Sequence, residues 1–397
     1  MKKLTTYALL LIVILFGSCK NENAGNESKI EPKTETNKVN IMAYYVPSNS
    51  LEVNNLPLSK LTHIIYSFTE VIDHQMVFTS DRHHSSMEEL TKACANYPDL
   101  KVMVACGGWG GSGGFSDMAA SQENRKIFVE SVIAFIKKYD LDGLDLDWEY
   151  PGLPGIGNPY QPEDKENFTS LVTELRRAMD ELKPGLLITF AAAGWERYFD
   201  HIELDKVMKQ VDYINLMTYD MAGGIPLTNH HTNLYGKSYE QLDQEVKTIL
   251  KENNRAYESR SADDITQFCI DLGVDPKQII IGGAFYGRSW AGVPPEDHGL
   301  HKSHNGQKSA HSYAKIQEMI LEDTNYVRYW DDQSKAPFIY NANDSLFITY
   351  DDPESLSLKT RYVKEQNLGG IMFWQLSQDT NDSELVNAIY QEASKTN

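Results

Sequence analysis

From residue 40 onward, short buried-strand patterns alternate with longer amphipathic stretches, and this alternation constrains the fold more than any other feature. Apolar, β-branched and aromatic runs occupy IMAYYV (41–46), THIIYSFT (62–69), KVMVACGG (101–108), LDGLDLDWE (141–149), LLITFAAA (186–193), VDYINLMTYD (211–220), QIIIGGAFYG (278–287) and GGIMFWQL (369–376). Helical periodicity is clearest over 121–138, 163–182, 240–252, 262–272 and 353–366, with a last helix near 382–394. Strands that are apolar on both faces need cover on both sides, which a parallel sheet obtains from its crossover helices. Eight such strands with intervening helices predict an α/β fold, a (β/α)8 TIM barrel rather than an open doubly wound sheet. No strand leads into G-x-G-x-x-G opening a helix, and GGWGGSGG (107–114) lacks the Lys-Ser/Thr of a phosphate loop. Dinucleotide binding is therefore not expected.

One connection is too long for a simple crossover. Residues 291–346 hold a loop-rich stretch, a helix-like YAKIQEMILED (313–323) and strand-like YVRYW and PFIYN, enough for a small α+β insertion between strands seven and eight. The barrel then comprises 40–290 and 347–397, with the insertion above the C-terminal face, where TIM-barrel active sites lie.

The first residues, MKKLTTYALLLIVILFGSCK, combine Lys2 and Lys3 with an apolar run from Tyr7 to Phe16 and read as a secretory signal. Gly17-Ser18-Cys19 resembles a bacterial lipobox, which implies a lipoprotein signal peptide (1–18) cleaved before Cys19 and a lipid on that residue. The polar segment 19–39 reads as a flexible tether, so the expected location is a bacterial outer membrane or cell surface, with membrane contact through the lipid alone. A formal charge of −19, with 37 basic against 56 acidic residues and no Lys/Arg block, disfavours nucleic acid as a partner. Cys94, Cys106 and Cys269 lack zinc-ligand spacing and read as buried free thiols, a single disulfide among them being the alternative.

The segment LDGLDLDWEYPG (141–152) carries the chemistry. Strict alternation puts Asp145, Asp147 and Glu149 on one face of a strand and Leu144, Leu146 and Trp148 on the other. In a barrel the apolar set suits the helix side, so the acids point to the axis, with Glu149 nearest the open end. A solvated face would require a half-exposed antiparallel strand. An EF-type calcium loop counted from Asp145 needs Gly at its sixth position, which is Tyr150. What fits is an acid whose pKa is raised by buried acidic neighbours, as a general acid near neutrality requires.

D-G-L-D-L-D-W-E resembles the D-x-x-D-x-D-x-E signature of glycoside hydrolase family 18, the chitinases. AYY (43–45), YSF (66–68), CGGW (106–109), MTYD (217–220), FYGRSW (285–290) and YDDPESL (350–356) extend the resemblance over about residues 40–390, with the insertion, and imply the same barrel. The resemblance implies retaining, substrate-assisted hydrolysis of β-1,4-linked N-acetylglucosamine polymers, with the acetamido group as nucleophile. It makes Glu149 the general acid and base, and Asp147 the partner that shares a proton with Asp145 and then orients the acetamido N–H. Tyr219 and Asp220 would bind the acetamido carbonyl and a hydroxyl of the distorted sugar, and Met217 would line that pocket. Trp374 would floor it, Tyr286 and Arg288 would reach substrate from strand seven, and Tyr44 and Phe68 would sit near the acids. Trp109 would be a stacking platform on the product side, and Asp142 structural. The resemblance implies no cofactor or metal, a chitin or chitooligosaccharide substrate, and a monomer. One departure stands out: many members have Ser where this chain has Ala105, which removes a donor to Asp145.

His298, His301 and His304 recur every third residue but fall in a loop with no evident acidic partners, so no metal site is expected. His230-His231 follows strand six and reads as part of a cleft wall. Two other readings use the same residues: an endo-β-N-acetylglucosaminidase acting on N-glycans, and an inactive chitin-binding lectin-like protein. Lectin-like relatives usually lack the acid at Glu149, and N-glycan enzymes usually lack the insertion.

Overall fold

The structure, a computed structural model, describes residues 39–47, 53–224, 226–254 and 256–396. Cys19, the signal peptide and the tether up to residue 38 lie outside the described residues. Eight parallel strands form the barrel: β1 (Asn40–Tyr45), β2 (His63–Ile72), β3 (Lys101–Gly107), β4 (Gly143–Asp147), β5 (Leu187–Ala193), β6 (Tyr213–Met217), β7 (Ile279–Ala284) and β8 (Gly370–Trp374). Each pairs with the next, and β1 pairs with both β2 and β8, which closes the sheet on itself. The expected (β/α)8 barrel is the fold observed.

Side-chain alternation separates two cores. Inward residues Met42, Ile65, Met103, Ile280 and Met372 fill the barrel axis below the site. Outward residues join a larger cluster beneath the helices. On β4, Leu144 and Leu146 face outward, and the following Trp148 stacks on Phe115 (centroids 5.2 Å, 15°) and meets Phe168 edge-on. Three apolar anchors on one face fix the strand's register, so the alternating acids must point inward.

The helix Asp81–Cys94 lies outside the clearest periodic stretches, although the sequence around Cys94 has an amphipathic helix pattern. It buries Met87, Leu90 and Cys94, a thin apolar stripe. Cys94, Cys106 and Cys269 are buried free thiols.

The second sheet has five antiparallel strands in the order Gln307–Ser312, Tyr286–Ala291, Leu346–Thr349, Ala336–Asn341 and Tyr326–Asp331, with the helix Tyr313–Glu322 packed against it. It takes in residues on both sides of the expected 291–346 span. QIIIGGAFYG is therefore two strands: β7 ends at Ala284, and one residue later the chain enters the second sheet at Tyr286. This corrects the expectation that Tyr286 and Arg288 reach the cleft from strand seven. Residues 283–287 around the change of sheet are all buried and carry no charge, so nothing in the local pattern marks it.

Candidate active site

The acid row sits at the C-terminal end of β4, and a glycine holds it there. Gly107 adopts φ +114°, and a Cβ on it would lie 2.1 Å from the Asp147 carbonyl oxygen. The Gly108 N–H donates to that carbonyl at 2.8 Å. Ser112 Oγ donates to it at 3.0 Å and accepts from the Glu149 N–H at 2.9 Å. The Gly-rich 107–114 loop thus pins the backbone on which Asp147 and Glu149 stand.

Asp145 is fully buried and accepts hydrogen bonds from Tyr44 Oη (2.9 Å), Thr189 Oγ1 (2.5 Å) and Asn215 Nδ2 (3.0 Å). Burial pushes its carboxyl up to about 6, against the pull of these three donors. Ala105 lies opposite Asp145 in register and offers no hydroxyl. Donors from β1, β5 and β6 make up for it. Asp147, also buried, is raised well above the carboxylate range by burial and then by the charges of Glu149 and Asp145. Its Oδ1 has no hydrogen-bond partner among the described residues. Glu149, 8% exposed, is pushed up to about 7 by burial and the Asp220 charge, with the Tyr150 hydroxyl acting against the rise. Burial and mutual repulsion thus favour bound protons over a row of free anions.

Burial and the nearby acids hold the Tyr44 and Tyr219 hydroxyls in their protonated, donor form. Asp220 has φ +58° and is gripped by Arg288 through Nε and Nη2, both at 2.6 Å, with His231 Nδ1 3.6 Å from Oδ1. Burial would raise Asp220, but His231 and Arg288 hold it well below the usual range. Trp374 stacks on Phe68 (5.4 Å, 20°) and leans on Tyr44 (5.8 Å). The peptide bonds Ser67–Phe68, Glu149–Tyr150 and Trp374–Gln375, each beside one of these residues, are cis.

A cleft of about 1180 Å³ brings the sequence-predicted residues together. Asp147 and Glu149 line it with Tyr219 and Asp220; Tyr44, Phe68, Met217 and Trp374 form its apolar base; Trp109, Tyr286 and Arg288 stand around it. Asp145 lies below, reaching the cleft through Tyr44 and Asp147. The sequence reading missed Tyr150, Trp195, Arg197, Trp290 and Gln378, which also line the cleft. They are single residues in loops and a second sheet, with no periodicity to flag them. Of the pair expected in the cleft wall, His231 lines the cleft, whereas His230 is buried against Asp331 and does not. The spaced histidines part company: His304 lines the cleft, His301 is buried, and His298 stacks on Tyr329 at 3.8 Å.

The family profile described as glycosyl hydrolases family 18 matches residues 40–379. Chitinase A1 of Niallia circulans is 35% identical over 309 residues, which cover 75% of this chain and 43% of that protein. Chitinase B of Serratia marcescens is 29% identical, covering 89% of this chain and 83% of that protein. The chain thus spans less than half the length of the first relative and most of the second. Among solved structures, a glycoside hydrolase family 18 N-acetylglucosaminidase from Paenibacillus barengoltzii superposes with a TM-score of 0.78 at 33% identity, over 89% of this chain and 99% of that one. An Ostrinia furnacalis Group IV chitinase in complex with allosamidin superposes at 0.79 with 26% identity, over 90% of this chain and 100% of that one.

Proposed function

Because the chain belongs to glycosyl hydrolases family 18, we propose that it hydrolyses β-1,4 bonds in chitin and chitooligosaccharides by a retaining, substrate-assisted route with Glu149 as acid and base. The carrying observation is the pairing of a buried Glu149, poised at about 7, with a buried Asp147 whose Oδ1 lacks a partner. A protonated Glu149 can donate to the glycosidic oxygen as the C–O bond breaks. The acetamido carbonyl oxygen then bonds to the anomeric carbon, giving an oxazolinium ion. The unpartnered Asp147 oxygen suits the acetamido N–H, where an anion stabilises the developing positive charge. Water adds to the anomeric carbon, returns its proton to the Glu149 carboxylate and restores the acetamido group, with net retention. Tyr219 Oη is a donor suited to the acetamido carbonyl, and the Trp374–Phe68 stack offers an apolar floor for the C–H face of the sugar.

Product analysis with chitin hexamer and a high-mannose glycopeptide, for the protein and for Glu149→Gln, tests this reading. Hexamer cleavage that disappears in the substituted protein supports it. Cleavage of the glycopeptide alone would replace it with an N-glycan activity, and binding without cleavage with a lectin. Similarity to the N-acetylglucosaminidase favours a second reading of the same chemistry, release of single N-acetylglucosamine units, which product length distinguishes. Attachment at the cell surface through Cys19 belongs to the same proposal, and loss of fatty-acid labelling in Cys19→Ala checks it.

A further inference from the structure

The charged groups lining the cleft do not balance. Asp220 and Arg288 neutralise each other through their paired hydrogen bonds. Burial drives Asp147 and Glu149 toward their protonated forms. His231 lies against Asp220, and burial lowers His304, which favours its neutral form. Arg197 is left. It is exposed, lines the cleft, and makes no hydrogen bond or ion pair with any described residue, its neighbours Glu196 and Asp200 included. In a chain of net charge −19, Arg197 is thus a cation at the cleft with no partner among the described residues.

Its place in the cleft follows from a contiguous aromatic row. Trp109 meets Tyr150 at 6.4 Å, and Tyr150, next to Glu149, meets Trp195 edge-on at 5.2 Å. Arg197 follows two residues later, in the turn Glu196–His201 beyond β5. The row starts at the proton donor and at Trp109, the residue read as the product-side platform, so it leads along the side from which the leaving sugar departs. Natural chitin carries N-acetylglucosamine, which is neutral, interspersed with de-N-acetylated glucosamine, whose amine is a cation when protonated.

We infer that Arg197 is a specificity-determining residue on the leaving-group side, rejecting units that carry an ammonium and admitting neutral N-acetylglucosamine or units with an anionic substituent. The inference rests on the chitin-hydrolysing reading above. Repulsion between a guanidinium and an ammonium at a solvent-exposed site is modest and screened by salt. A bias of about two- to fivefold in favour of acetylated units is the expected scale.

Partially de-N-acetylated chitin, cut by the protein and by Arg197→Gln and Arg197→Glu, tests it. Each cut turns the leaving-side unit into a new non-reducing end, so sequencing the products reads the selection directly. The expected result is acetylated new ends in excess for the unsubstituted protein, an excess largely lost in Arg197→Gln and reversed in Arg197→Glu. The contrast shrinks as salt rises from low to high concentration. Equal end composition in all three proteins, or a bias indifferent to salt, would overturn the assignment. Fully acetylated hexamer run in parallel separates the two readings. If it is cut while the end composition stays equal, the Arg197 inference fails alone; if no variant cuts it, the hydrolase reading falls too.

Discussion

Arg288, on the second sheet, grips Asp220, at the mouth of β6, through two hydrogen bonds of 2.6 Å. The pair joins two separate sheets across the cleft wall, so the second sheet is part of the site. The guanidinium also lies 5.2 Å from the Tyr286 ring and holds that aromatic beside the pair. Arg288→Met should raise KM about five- to tenfold while shifting stability by no more than about 1 kcal/mol, because both side chains are partly solvated. Arg288→Lys should recover little, since an ammonium cannot make the two-pronged contact. Steady-state kinetics beside thermal melts separate these effects.

Glu149→Gln keeps the shape of the side chain and removes its proton. The expected loss is about 10²–10⁴-fold in kcat, with oligosaccharide affinity retained within a few-fold. Tryptophan fluorescence titration with chitin hexamer measures the binding, since Trp374 and Trp109 line the same cleft.

The pH profile follows from the same group. On the proposed mechanism Glu149 donates a proton in the first step, and burial pushes its carboxyl up to about 7. It is protonated below that value and ionised above it, so kcat/KM should level off on the acid side and fall about tenfold per pH unit above about 7. Initial rates on a soluble oligomer from pH 5 to 9 would show the limb. A rate still rising at pH 9 would contradict the assignment of Glu149 as acid.

Asn215 is buried between Asp145 and Tyr44, donating to both at 3.0 and 3.1 Å. Asn215→Leu removes a donor from a buried carboxyl that already lacks a hydroxyl at Ala105. The expectation is a stability loss of about 1–3 kcal/mol and a fall in kcat. Denaturant midpoints and kinetics report the two separately. Unchanged kcat would detach Asp145 from the proton-handling row.

Lys359 and Asp351 form an ion pair of 2.6 Å with neither side chain exposed, tied also to Thr232 and to the Ala284 N–H at the end of β7. Lys359→Met strands a buried carboxylate and should lower stability by about 3–5 kcal/mol. Lys359→Met with Asp351→Asn should recover part of that loss, because the stranded charge is gone. Urea unfolding of the single and double variants measures the difference.

The barrel and the acid row could be read from the sequence because both rest on local periodicity. Each of the eight predicted barrel-strand runs overlaps a barrel strand, and the helices at 122–139, 164–182 and 353–365 match their predicted stripes closely. Alternation within 141–149 was enough to say which way the acids point, since apolar residues on one face leave the other no choice. Glu149, Asp147 and Asp145 were therefore accessible as a row before any coordinates.

Tertiary structure decided what depends on residues distant along the chain. The donors to Asp145 come from positions 44, 189 and 215, so no local motif could show that Ala105 is compensated. Tyr286 and Arg288 belong to the second sheet because the chain changes sheets at Phe285, amid uniformly apolar residues. That Arg197 has no partner among the described residues is visible only in three dimensions; along the sequence it stands beside Glu196. Periodicity is a local property and survives in one dimension. Charge balance and hydrogen-bond completion are sums over neighbours in space, and folding alone sets which neighbours those are.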